Sequence, residues 1–102
     1  MARLPPEFHP DARSEVLDAF EWYARRSSAV AATFQEELDA TGRAIQKSPD
    51  RRADYLFGTR RYLMKRYPFV IVYRVSTDRI EIVAVAHGRR KPGYWRVRVE
   101  PK

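Results

Sequence analysis

The stretch FVIVYRVSTDRIEIVAVAH, residues 69–87, decides the fold. FVIVYRV (69–75) is apolar on both faces, the pattern of a central strand covered from both sides. Ser76-Thr77-Asp78 is a short turn signal, and RIEIVAVAH (79–87) resumes the apolar run. So short a connection leaves no room for a parallel crossover, so the two strands are expected to run antiparallel. Upstream, RRYLMKR (60–66) alternates imperfectly and adds a third strand to an antiparallel meander. It places Arg60, Tyr62, Met64 and Arg66 on one face and Arg61, Leu63 and Lys65 on the other. Both faces carry two cations, so whichever packs inward keeps basic stems at the rim of the core.

The first half of the chain has helical periodicity instead. Asp11 is the expected N-cap of a first helix of about four turns, with Glu15 near the positive end of its dipole. Val16, Leu17, Phe20, Tyr23 and Ala24 recur at spacings of three and four and form its apolar stripe, with Trp22 off the centre. Ser27-Ser28 punctuates. A second helix is expected from about Ala29 to Lys47, burying Phe34, Leu38, Thr41 and Ile45. Gly42 is expected to permit a close helix crossing, and Ser48-Pro49 ends the helix. Residues 1–10 carry Pro5, Pro6 and Pro10, which suits an edge strand or bracing arm. The reading is one α+β domain over residues 1–102: an N-terminal arm, then a helical hairpin packed on one face of a small antiparallel sheet.

Charge is segregated along the chain. Residues 1–50 hold six Lys/Arg against nine Asp/Glu, net −3, and residues 51–102 hold fourteen against four, net +10. A basic half of this kind is the footprint of a binder of polyanions or acidic peptides, or else a solvated basic surface. With no cysteine, disulfides, thiolate zinc sites and a cysteine nucleophile are excluded. The two histidines, His9 and His87, make a weak case for metal, and no cofactor motif is present. The longest apolar runs are far short of a membrane span, and the N-terminus has no signal-peptide core. A cytoplasmic protein without membrane contact is expected.

The chemistry-bearing residues cluster late. His87, Arg89, Arg90, Lys91, Tyr94 and Trp95 lie in AHGRRKPGYW (86–95). The cations suit phosphate or carboxylate, and the aromatics suit base stacking or a partner's surface, or pack back on the sheet. His87 is a candidate general base or a structural hydrogen-bonder. Arg74, inside the most buried strand, is an internal tie or points at a bound anion. With Arg61, Lys65 and Arg66 these residues allow only metal-free acid–base chemistry, of which RNA cleavage is the best-known use. The catalytic candidates are therefore His87, Arg89, Tyr94, Arg61, Lys65 and Arg66. The target-binding candidates are Arg60, Arg74, Arg89, Arg90, Lys91, Tyr94 and Trp95.

Taken in order, FHPDA (8–12), Trp22-Tyr23, Phe34 with Glu37-Leu38, Ser48-Pro49, GTRR (58–61), RYPFVIVYRV (66–75) and VAHGRR (85–90) resemble the RelE/ParE family of toxins from type II toxin–antitoxin systems, sometimes labelled plasmid-stabilisation proteins. The resemblance implies a growth-inhibiting toxin, silenced in a hetero-oligomer with a cognate antitoxin. RelE-like members cleave mRNA at the ribosome; ParE-like members poison DNA gyrase. The nuclease pattern has an arginine early in the central strand, where this chain has Val70, and lysines in the strand before, matched here by Tyr62 and Met64. Arg89 does match, and Tyr94 or Trp95 stands for the terminal tyrosine. The resemblance is therefore closer to the ParE-like branch, with gyrase as the expected target. The alternatives are a RelE-like endoribonuclease acting on the ribosome and mRNA, and a non-toxic basic nucleic-acid-binding module.

Overall fold

The computed structural model describes residues 5–100. Its elements are β1 (Glu7–Phe8), α1 (Pro10–Ala24), α2 (Ser28–Lys47), β2 (Arg60–Leu63), β3 (Phe69–Val75) and β4 (Ile80–His87), with 3-10 turns at Leu56–Gly58 and Arg96–Arg98. The sheet order is β1-β4-β3-β2. The meander is present as expected, with β2 and β3 antiparallel and β3 and β4 antiparallel. The N-terminal arm does form an edge strand, but it runs parallel to β4, so the sheet is mixed rather than purely antiparallel. Both helices, β2 and β3 lie between the two strands in sequence, a connection long enough for the crossover that parallel pairing needs.

α1 begins one residue before the expected cap. His9 is the N-cap, its Nδ1 accepting the Asp11 N–H at 3.1 Å, and Pro10 fills the first helical position. The buried stripe is rotated from the expected one. Ala12 and Ala19 face the core with Val16, Phe20 and Tyr23 beside them, while Leu17 is 56% exposed. Two alanines on the inner face let the helix lie close to the sheet. α2 matches its reading: Phe34, Leu38, Thr41 and Ile45 are buried and Ser27 caps it through the Val30 N–H. Gly42 has no neighbour within 4 Å of a Cβ position, so it serves no helix crossing.

β2 stops at Leu63 instead of running to Arg66. The cause is Glu37 on α2. Its carboxylate accepts the Lys65 N–H at 2.7 Å, the Arg66 N–H at 3.3 Å and Arg66 Nε at 3.1 Å, drawing the chain away from the ladder. Those bonds, with the Arg66 charge, outweigh desolvation and hold the Glu37 carboxyl below its ordinary range.

The two faces of the sheet are both covered. Phe34, Leu38, Ile71, Tyr73, Ile82 and Val85 form the core under the helices, and Arg60 and Tyr62 belong to that side. On the opposite face Val72, Val83 and Ala84 pack around Trp95 with Tyr55, Val70, Tyr94 and Val99. A register shift beside Val72/Tyr73 accompanies the burial of consecutive Val83 and Ala84 on this outer face. The helices cover one face of the sheet as expected, and the segment after β4 covers much of the other. No helix of the described residues is long and apolar enough to cross a membrane.

Candidate functional site

The end of β4 presents the basic turn. The Gly88 N–H donates to Pro68 O at 2.7 Å, and the Arg90 N–H to His87 O at 2.9 Å. The β2–β3 turn therefore lies against the segment that follows β4. Lys65, Arg66, Arg89, Arg90 and Lys91 are exposed at this one end of the sheet. Among the described residues, the side chains of Lys65, Arg89 and Lys91 have no hydrogen bond or ion pair. Arg66 pairs with Glu37, and Arg90 stacks on the Tyr94 ring at 3.7 Å.

The remaining candidates are placed elsewhere. Arg60 is tied to the Asp50 and Arg52 carbonyls and pairs with Asp54 at 3.5 Å. Arg61 stacks on Tyr55 at 4.6 Å. Arg74 sits at the far end of the sheet, with Nε on Glu81 at 2.8 Å and Nη1 on Val99 O at 3.4 Å. Both partners belong to this chain, and the Arg74 side chain is 43% exposed. Trp95 is 1% exposed and cannot offer a face to a target; it is the centre of the outer core, edge-on to Phe57 at 5.8 Å. Gly93 makes this turn possible: its φ is 87°, and a Cβ there would lie 3.1 Å from the Phe57 ring. His87 Nδ1 accepts the Arg89 N–H at 3.1 Å, and its ring meets Phe69 edge-on at 5.4 Å.

The Tyr94 hydroxyl is directed toward Glu15 of α1, donating to Oε2 at 2.5 Å. Arg98 clasps the same carboxylate at 2.9 and 3.1 Å, and the Val85 N–H donates to Oε1 at 3.0 Å. Arg98 also donates to Val83 O at 3.1 Å and lies 3.7 Å from Asp11. This cluster exists because β1 pairs with β4 only as far as Ile82. From Val83 onward the outer edge of β4 has no neighbouring strand, and Glu15 and Arg98 satisfy its open backbone groups instead. Burial, then the hydrogen bond and charge of Glu15, push the Tyr94 phenol well above its ordinary pKa, with Arg98 and Arg90 pulling the other way. A phenol so held stays protonated at neutral pH and is no general base. Burial works against the Arg98 charge, but Glu15 overcomes it and raises the Arg98 pKa.

The sequence reading missed this pair. Glu15 was legible only as a helix-dipole acid and Arg98 only as one more terminal cation. They are 83 residues apart, and no local spacing links them.

Beside the cluster, a cleft of 420 Å³ opens between α1 and the free edge of β4. Ala19, Trp22, Tyr23, Phe69, Val85 and Tyr94 make it mainly apolar, and Asp18, His87 and Arg90 stand among its lining residues. Among the described residues no group of three or more His, Cys, Asp or Glu could hold a metal ion.

With this geometry in view, a family model, curated relatives and a solved structure can be set beside the chain. Residues 7–92 match the family described as ParE toxin of type II toxin-antitoxin system, parDE. Toxin ParE2 of Mycobacterium tuberculosis, in strains CDC 1551 / Oshkosh and ATCC 25618 / H37Rv, is 24% identical over 85 residues, covering 82% of this chain and 81% of that protein. A chain in the solved structure of the chromosomal ParDE TA system from P. aeruginosa superposes with a TM-score of 0.73 at 15% identity, covering 85% of this chain and 98% of that one. At that identity the likeness shows the fold.

Proposed function

This chain belongs to the ParE toxin family of type II toxin–antitoxin systems, and from that premise we propose that it arrests growth by binding and poisoning DNA gyrase. A cognate antitoxin holds it silent, as the toxin–antitoxin assembly of the P. aeruginosa relative suggests, and the pair works in the cytoplasm. The observation that carries the gyrase reading is how the cations are distributed. Catalysis of RNA cleavage needs charge stabilisers and proton carriers converging on one phosphate. Here Val70 occupies the expected arginine position inside the outer apolar cluster. The Tyr94 hydroxyl is committed to Glu15, and Arg60 and Arg74 are committed to internal partners. What stands free is a turn of cations, Arg89 and Lys91 with Arg90 behind them, flanked by Lys65. Such a set suits anchoring to an acidic protein surface or DNA backbone rather than chemistry.

The test is inhibition of gyrase supercoiling by the purified chain. Arg89→Ala combined with Lys91→Ala is expected to weaken inhibition about tenfold or more, with an unchanged circular dichroism spectrum because neither side chain supports the fold. Full inhibition by this double variant would remove the basic turn from the target contact.

A further inference from the structure

We propose that the pocket where α2 ends beside the sheet binds a terminal phosphate group, a phosphate monoester dianion. The inference is independent of the gyrase reading and rests on residues outside the basic turn. Three features of the pocket point to it.

Its size suits a small anion. The pocket has a volume of 250 Å³; Ala44, Ile45, Tyr62 and Tyr73 line it, and Lys47, Arg51 and Arg52 supply its charge. Sites that enclose a whole drug-sized ligand run from roughly 300 to 1,000 Å³. This one takes the compact anionic end of a ligand rather than a complete cofactor.

Its charge is not cancelled by the fold. Lys47 and Arg51 are exposed, and among the described residues their side chains have no hydrogen bond or ion pair. Arg52 stacks its guanidinium on the Tyr62 ring at 4.2 Å and, among the described residues, has no acidic partner. Asp54 is taken by Arg60 at 3.5 Å. Asp50, exposed and outside the pocket lining, opposes the cations together with roughly half a negative charge at the end of α2. Lys47 alone would satisfy that helix end. All three cations leave an excess of about one and a half positive charges. A phosphate monoester carries about −1.5 to −2 at neutral pH and matches it. A carboxylate or a diester linkage brings a single charge and leaves part of the excess unmet.

The turn is built to hold these cations. Pro49 O accepts the Tyr73 hydroxyl at 2.8 Å, and Ser48 O accepts the Arg51 N–H at 3.2 Å. Arg60 Nη1 donates to the Asp50 and Arg52 carbonyls. Carbonyl oxygens that would repel an anion already have donors. With the backbone fixed and Arg52 stacked, two guanidinium forks and an ammonium can meet one phosphate at little ordering cost.

The probes are methyl phosphate, dimethyl phosphate, AMP and a short single-stranded DNA with or without a 5′-phosphate, titrated into the full chain at constant ionic strength and followed by calorimetry. Methyl phosphate and AMP are expected to saturate one site, with dimethyl phosphate at least tenfold weaker. Affinity for methyl phosphate should rise as pH increases through about 6, where the monoester gains its second charge. Lys47→Gln combined with Arg51→Gln should weaken binding at least tenfold with an unchanged circular dichroism spectrum. Arg89→Ala combined with Lys91→Ala should leave it unchanged, which separates the pocket from the basic turn. The two sources of a terminal phosphate are told apart by comparison: tighter binding of AMP identifies a free nucleotide, and tighter binding of the 5′-phosphorylated DNA identifies a strand end. The inference is overturned by no saturable binding of any monoester, by equal binding of dimethyl phosphate, or by binding that survives the Lys47 and Arg51 changes and is lost with Arg89 and Lys91.

Discussion

Glu15 holds three separate parts of the chain with one carboxylate: the β4 backbone, the Tyr94 hydroxyl and the Arg98 guanidinium. The side chains of Glu15 and Arg98 are only 16% and 12% exposed, so neither charge is solvated if the other is removed. Glu15→Ala is expected to cost about 3–5 kcal/mol, because it strands a buried cation and an open strand N–H together. Tyr94→Phe leaves Arg98 and the Val85 N–H on the carboxylate and should cost about 1.5–3 kcal/mol. Urea unfolding of both variants checks the order; equal losses would mean that the hydroxyl, and not the ion pair, holds the terminal segment.

Between elements, the contacts of one α2 carboxylate set the geometry of the basic end. Glu37 ends β2 and shapes the turn that carries Lys65 and Arg66. Its carboxyl is held low in the folded chain, so its contribution is present above the unfolded carboxylate pKa and is lost as pH falls through the lower folded value. On the alkaline side Tyr23, Tyr73 and Tyr94 are all raised, chiefly by burial. Their neutral forms are favoured in the folded state, so this stability is complete below the ordinary phenol value of about 10 and falls as pH rises above it. Thermal melts should therefore drop below about pH 4 and again above about pH 10. A melting temperature that stays flat from pH 9 to 12 would contradict the burial of these phenols. The strands themselves were legible in their apolar runs, and α2 in its spacing. The phase of α1 was not, because alanine reads as neutral and the choice between Leu17 and Ala19 is made by how closely the sheet approaches. The parallel pairing of β1 was equally hidden: two residues carry no period.

Across the whole molecule the terminal segment does two jobs. Residues 88–91 present the cations, and Trp95 closes the second core. Trp95→Ala is expected to cost about 3–5 kcal/mol, as a large core truncation does, and to loosen the basic turn with it; a denaturation midpoint near wild type would show that the outer layer is ornamental. The sequence marked Arg89 and Lys91 as cations that bind a target or are merely solvated, and both are exposed, since neighbouring charges in a polar turn seldom bury. It could not separate Arg60 and Arg74 from them, because an internal tie depends on partners brought near by the fold. The central claim is that these free cations serve binding to gyrase rather than cutting of RNA. It is tested most directly by adding the purified chain, in parallel, to a gyrase supercoiling reaction and to a purified translation reaction with a defined mRNA. The account predicts loss of supercoiling with intact mRNA. Cleavage of the mRNA in the ribosomal A site, with supercoiling untouched, would contradict it.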